Sequence, residues 1–84
     1  MSASDTRREV MVYLAERGAA KMTVAAILGH LRGQGHSLSP DDVSTALNVL
    51  EGEGLVSKSY PPAGSVARWQ ATSKLVLAAE RGEL

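Results

Sequence analysis

The distribution of charged side chains along the sequence is the feature that indicates most directly how the chain could bind a partner. The segment 39–54 holds four acids and no lysine or arginine, and the segments on either side of it hold two cations each: Lys21, Arg32, Lys58 and Arg68. The formal net charge of the chain is zero, whereas most independent DNA-binding domains carry a basic excess, because phosphate neutralisation supplies much of their affinity. Contact with an anionic partner must therefore come from the arrangement of the cations and not from their number.

The other reactive side chains form no catalytic or metal-binding pattern. His30 and His36 are six residues apart, which does not place them on one helical face, and there is no cysteine. No Ser-His-acid arrangement is indicated, so we predict no enzyme activity, no metal and no cofactor. Trp69 alternates with alanines and is expected to pack against the core, with base stacking as the alternative. Tyr60 precedes two prolines and is expected to stiffen a turn.

Length and composition limit the chain to one small domain, residues 1–84. With no phenylalanine and one tryptophan, its core must consist mainly of aliphatic side chains. The absence of cysteine excludes a disulfide scaffold, and no apolar run is long enough to cross a bilayer. Because the N-terminal residues are too polar for a signal peptide, we expect a cytoplasmic protein.

One segment predicts a helix with well-marked ends, at residues 39–53. Ser39 is the expected N-cap, followed by proline and then by two aspartates in the first turn, where the helix dipole favours negative charge. Gly54 is placed to end the helix in a left-handed conformation. Apolar side chains recur at helical spacing and form one stripe: Val43, Ala46, Leu47 and Leu50.

Two further helices are predicted before this one. The first spans 5–17 and begins where Thr6 and Glu9 have capping-box spacing. The second spans 23–32 and contains Gly29, for which close packing against another helix is the expected reason.

After the third helix, two β-compatible stretches predict a hairpin at 55–72, joined by the turn-forming residues 61–65. A last short helix is expected at 73–81, and the connector 19–22 is compatible with one brief strand. This order predicts an α+β domain that is mostly helical. An ordinary three-helix bundle with a hairpin is the alternative.

The junction between the third helix and the hairpin carries a family resemblance. Its motif, V..AL..LE.EGLV, falls here on Val43, Ala46, Leu47, Leu50, Glu51, Gly54, Leu55 and Val56. With this motif, most of the chain resembles small winged helix-turn-helix transcriptional regulators of the MarR and ArsR type. A fainter resemblance is to the short winged-helix proteins of Mu-like phages. These are packing and capping motifs, so the resemblance implies the fold, with the hairpin as its wing, more directly than a function.

In such families the third helix enters the major groove of DNA and the wing contacts the adjacent backbone. The resemblance implies that Ser44, Thr45 and Asn48 on the outward face of this helix read bases, since hydroxyl and amide groups can bond base edges. It also implies backbone contacts from residues at the flanks: Arg32, His36, Lys58 and Arg68.

The expected function is sequence-specific binding of double-stranded DNA by a homodimer that regulates transcription. One neutral module of this size makes few contacts with DNA, which favours a dimer. Spare apolar side chains on the terminal helices form the expected seam: Met11, Tyr13, Val76 and Leu77. The alternative is a winged helix that contacts another protein and not DNA, because the third helix is acidic and Val49 lies off its apolar stripe.

Overall fold

Four helices and one hairpin form the part of the chain that the computed structural model describes, residues 1–64 and 66–84. Ser65, in the predicted turn, lies outside the described residues. The elements are α1 (Ala3–Arg17), α2 (Val24–Gly33), α3 (Pro40–Gly52), β1 (Val56–Ser59), β2 (Arg68–Ala71) and α4 (Ser73–Glu80). Among these helices, none is both long and apolar enough to cross a membrane.

Helix α1 begins two residues earlier than predicted. Ser2 is its N-cap, and the Ser2 hydroxyl accepts a hydrogen bond from the backbone N–H of Asp5 at 3.1 Å. Thr6, the predicted cap, is buried, and its hydroxyl donates to the Ser2 carbonyl at 3.0 Å. A threonine within the first turn can bond the carbonyl four residues back, and this leaves the cap position to the exposed serine.

Helix α3 has a closed hydrogen-bonding pattern at both ends. The Ser39 hydroxyl accepts from the Asp42 N–H at 3.2 Å, and the Asp42 carboxylate accepts from the Ser39 N–H at 2.9 Å. This is a capping box with aspartate in the place usually taken by glutamate. At the other end Gly54 has a φ of 75°, and the Leu55 N–H donates to the Leu50 carbonyl at 3.0 Å, as in a Schellman motif. Both caps predicted for this helix are confirmed.

The capping box gives α3 a dependence on pH. Hydrogen bonds from the backbone and then the side chain of Ser39 hold the pKa of the Asp42 carboxyl below its ordinary value. Such a group stabilises the fold fully above its unfolded-state pKa and loses this contribution as the pH falls through its folded-state pKa. We expect the thermal midpoint to decrease from about pH 4 downward. The thermal midpoint of the Asp42→Asn variant should decrease less over the same pH range, because asparagine keeps an oxygen acceptor but does not titrate. Circular dichroism melts of both chains check this, and parallel pH curves would contradict it.

The wing is attached to the helices through its second strand. Residues 60–67 connect the two strands, a longer connection than the predicted 61–65. The Met22 N–H donates to the Trp69 carbonyl at 2.7 Å, and the Trp69 N–H donates to the Met22 carbonyl at 2.8 Å. The brief strand expected before α2 is therefore a single bridge to β2.

One apolar core joins the helices and the wing. Trp69 is 4% exposed and packs the wing onto the helices, as predicted. The close packing expected at Gly29 is wrong, because a Cβ placed there would meet no neighbouring atom within 4 Å. The other buried apolar side chains are Val10, Tyr13, Leu14, Ile27, Leu28, Leu31, Leu38, Val43, Ala46, Leu47, Leu50, Val56, Ala71 and Leu75.

Candidate nucleic-acid interface

Helix α3 exposes uncharged hydrogen-bonding side chains on the face opposite its buried stripe. Thr45 and Asn48 are exposed and Ser44 is half-buried. The amide of Asn48 offers both a donor and an acceptor, the combination that pairs with an adenine edge. The hydroxyls of the other two can donate or accept. These three side chains suit contacts with polar edges, and the exposed Asp41 lies on the same face, four residues before Thr45.

The same helix carries three acids, Asp41, Asp42 and Glu51, and its C-cap residue Glu53 is a fourth; all four are exposed. Asp42 is held in the capping box. Among the described residues no ion pair within 4.0 Å involves these four carboxylates, although the Lys74 ammonium donates to the Glu53 carbonyl at 2.9 Å. A polyanion that approaches α3 therefore meets negative charge first, and its attraction must come from cations beside the helix.

Arg32 and His36, in or beside the turn between α2 and α3, were predicted to contact the DNA backbone. Each of them already interacts with another residue of the chain. The Arg32 Nε donates to the Leu38 carbonyl at 3.0 Å, which fixes the exposed guanidinium against the turn and leaves its other N–H groups available. The His36 Nε2 lies 3.7 Å from a Glu9 carboxylate oxygen. A phosphate at His36 would have to approach beside this carboxylate, whereas a phosphate at Arg32 would not.

The strand register separates the two cations of the wing. Lys58 lies opposite Trp69, and Ser59 lies opposite Arg68. Directly opposite residues share a face of the sheet, and faces alternate along each strand, so Lys58 and Arg68 project from opposite faces. The Lys58 Nζ is 5.5 Å from the centre of the Trp69 ring and 5.8 Å from that of Tyr60. Tyr60 itself is 59% exposed.

A further cation, Arg7, borders α3 and was missed in the sequence. It lines a cleft of about 190 Å³ together with Ser37, Asp42 and Thr45, one of the expected base readers. Helical spacing could have located it in the sequence. Arg7 is three residues before the buried Val10 and therefore lies on the side of α1 that faces the core. This cation can partly offset the acidic first turn of α3.

Of the four side chains predicted to form the dimer seam, only some are exposed enough to contact a second copy of the chain. Tyr13 is 5% exposed in the core of the single chain, with its ring centre 4.3 Å from that of His30 and the Arg17 guanidinium 5.0 Å from the ring. Tyr13 therefore has almost no surface to offer a second copy. Leu77 on α4 is 46% exposed. The other two seam residues, Met11 and Val76, are half-buried against the core.

The order of these elements defines a class of protein. Three helices in helix-turn-helix order, an antiparallel two-stranded wing and a short fourth helix make this chain a winged helix. The predicted fold class, α+β and mostly helical, is confirmed.

Similar solved structures come from MarR-type and other winged helices. A variant of Lactococcus lactis ZitR is 28% identical with a TM-score of 0.75, over 93% of this chain and 49% of that one. Wild-type ZitR in complex with DNA is 27% identical with a TM-score of 0.68, over 95% of this chain and 49% of that one. The chain thus spans about half the length of ZitR, which is described as a zinc-responsive MarR family member. No group of three potential metal-ligating side chains occurs among the residues described for this chain.

A HOP2 structure shares the fold at lower identity. It is 22% identical with a TM-score of 0.69, and the match covers 80% of this chain and 98% of that one. No family model matches the sequence, and no curated protein matches it significantly. The resemblance to winged helices, including the MarR type, is confirmed by these structures.

Proposed function

We propose that this chain binds double-stranded DNA in a sequence-specific manner and regulates transcription. The observation that carries the proposal is the exposed polar face of α3, where Thr45 and Asn48 stand with Asp41 opposite the buried stripe. Similarity over 95% of the chain to ZitR, which has been solved in complex with DNA, supports the same assignment. In this proposal α3 lies in the major groove, where Ser44, Thr45 and Asn48 contact base edges.

Cations around α3 supply the attraction that the helix itself lacks. Arg32 bonds the Leu38 carbonyl just before α3, Arg7 shares a cleft with the N-terminal half of α3, and Arg68 lies on the wing. His36 is a weaker phosphate ligand because Glu9 lies beside it. We also propose that two copies bind together, because one neutral module offers too few contacts for tight binding. The seam would use Met11, Val76 and Leu77.

Selection of duplexes from a random pool, followed by fluorescence anisotropy, tests this function. We expect the selected duplex to bind at least about 10³-fold more tightly than a random duplex. Asn48→Ala should weaken binding to the selected duplex by about 5- to 150-fold and leave binding to the random duplex unchanged. Sedimentation velocity should give two chains per selected duplex. Absence of binding to any duplex at low salt would overturn the proposal.

A second candidate function is contact with a basic protein partner through α3. The four exposed acids of this helix and its C-cap favour it, together with Val49 on the helix, which is 41% exposed. The two functions make opposite demands on the acids, because a basic partner requires them and DNA is repelled by them.

A further inference from the structure

The C-terminal end of α3 is bound by the segment that follows the wing. The Thr72 N–H donates to the Leu55 carbonyl at 3.1 Å, and the Thr72 hydroxyl donates to the Gly54 carbonyl at 2.8 Å. The Lys74 ammonium donates to the Glu53 carbonyl at 2.9 Å. Three successive carbonyls at the end of α3 thus accept hydrogen bonds from one short segment at the start of α4. We call these three hydrogen bonds the α3–α4 clamp.

The clamp joins the end of α3 to a part of the fold that is itself anchored. Besides donating to Gly54, the Thr72 hydroxyl is the N-cap of α4, where it accepts from the Leu75 N–H at 3.5 Å. The side chain of Leu75 is fully buried in the core. Lys74 adds a positive charge at the negative end of the α3 dipole, where the last turn of α3 has no basic residue of its own.

The orientation of α3 is therefore fixed from outside the helix at both of its ends. At the N-terminal end, Arg32 bonds the carbonyl of the residue before the N-cap. The expected base readers lie between that point and the clamp, and side chains that bind specifically must be held within about 0.5 Å of their productive positions. We propose that Thr72 and Lys74 are positioning residues for base reading, which fix the C-terminal end of α3 and do not contact DNA. This inference rests on the proposed function.

Discrimination between duplexes is the property that the clamp should control. Without one of its hydrogen bonds, α3 occupies other orientations for part of the time, and any binding that requires the fixed orientation weakens in proportion. We expect Lys74→Met to bind the selected duplex about two- to tenfold more weakly, the range for one lost hydrogen bond, and to bind the random duplex with unchanged affinity. Lys74→Arg, which keeps a charged donor, should recover the affinity for the selected duplex.

The salt dependence of binding distinguishes this role from a phosphate contact by Lys74. Loss of a phosphate contact would weaken binding to both duplexes and decrease the slope of log affinity against log salt by about 0.9 in magnitude. We expect Lys74→Met to retain the slope in fluorescence anisotropy titrations. Lys21→Met is the matched control, because it removes the same charge from an exposed lysine outside the clamp, and it should retain the discrimination between the two duplexes.

Amide hydrogen exchange tests the clamp without DNA. The N–H groups of Gly54 and Leu55 close the last turn of α3, so their exchange reports local opening at this end of the helix. We expect Lys74→Met and Thr72→Val, which removes the hydroxyl donor, to exchange these two amides about two- to tenfold faster. The amides of α2 should exchange at an unchanged rate, and Thr72→Ser, which restores the hydroxyl, should recover the slow exchange.

Three results would overturn the inference. These are an equal loss of affinity for both duplexes in Lys74→Met, an unchanged discrimination in both Lys74→Met and Thr72→Val, and faster exchange throughout the chain, which would show general destabilisation. If the unsubstituted chain binds no duplex, the proposed function and the role in base reading both fail. The exchange of Gly54 and Leu55 then still decides whether the clamp fixes the end of α3.

Discussion

Trp69→Ala is expected to remove a large part of the free energy of unfolding. Trp69 is 4% exposed within the core, and its backbone forms both hydrogen bonds of the bridge to Met22. Its indole Nε1 has no hydrogen-bond partner among the residues described, so the loss would be one of packing and not of a side-chain hydrogen bond. Truncation of a buried tryptophan to alanine costs about 3–5 kcal/mol. A chain of 84 residues has a total stability of about 4–13 kcal/mol.

Urea unfolding followed by far-ultraviolet circular dichroism measures this effect, since the substitution removes the fluorescent probe. Tyr60→Ala is the matched control, because it removes an aromatic ring from the same wing at a position that is 59% exposed. This control should change the free energy of unfolding by less than about 1 kcal/mol. An equally small change in Trp69→Ala would show that the wing is not part of the cooperative core.

The ends of α3 were predictable because the interactions that form them are local. Ser39 and Asp42 are three residues apart, and each satisfies the other's backbone N–H whatever the rest of the chain does. The start of α1 was not predictable in the same way. Ser2 and Thr6 are both suitable cap residues, and the choice between them follows from the burial of Thr6, which depends on tertiary packing.

The faces of the wing depend on the strand register, which the sequence left open. A hairpin closed by residues 61–65 would pair Tyr60 with Val66, and would therefore place Lys58 opposite Arg68 on one face. The observed register pairs Lys58 with Trp69, a shift of one residue. A shift of one residue reverses the face of every side chain in one strand relative to the other. The sequence was thus sufficient to identify both cations of the wing, but only the structure shows that they lie on opposite faces of the sheet.

Tyr13 illustrates a similar limit in the helices. Spacing along α1 indicates that it lies near the edge of the apolar stripe that includes Val10 and Leu14. Its burial is decided by α2, since His30 stacks on the ring at 4.3 Å between centres. A residue at the edge of a stripe is buried or exposed according to its neighbour on the next helix, and single-helix periodicity does not contain that information.

Neutralising the three acids of residues 41–53 whose carboxylates take no part in the capping box is expected to increase affinity for duplex DNA. The variant is Asp41→Asn/Glu51→Gln/Glu53→Gln, with Asp42 retained for the capping box. All three carboxylates are exposed, two on the helix that would enter the groove and one at its C-cap, and each would oppose the phosphates. Their removal should tighten binding by about ten- to a hundredfold at low salt.

The fold should tolerate this change. Loss of Asp41 weakens the favourable interaction with the helix dipole by about 0.3–1 kcal/mol. Loss of the negative charges of Glu51 and Glu53 near the C-terminal end of α3 acts in the opposite direction, because that end of the dipole is itself negative. The thermal midpoint of the variant should therefore stay close to that of the unsubstituted chain, and a change in affinity can be assigned to charge.

A matched control distinguishes a local effect from one of net charge. Glu16→Gln/Glu80→Gln/Glu83→Gln removes three exposed acids from α1 and the C-terminal segment, and brings the formal net charge to the same value. Fluorescence anisotropy on one duplex compares the two variants with the unsubstituted chain. If α3 lies in the groove, the α3 variant gains far more affinity than the control, because the screening length is only about 10 Å at 0.1 M salt. Equal gains in the two variants would mean that α3 does not approach the duplex. Its acids would then be free for a basic protein partner, and binding of that partner would be weakened by the same three substitutions.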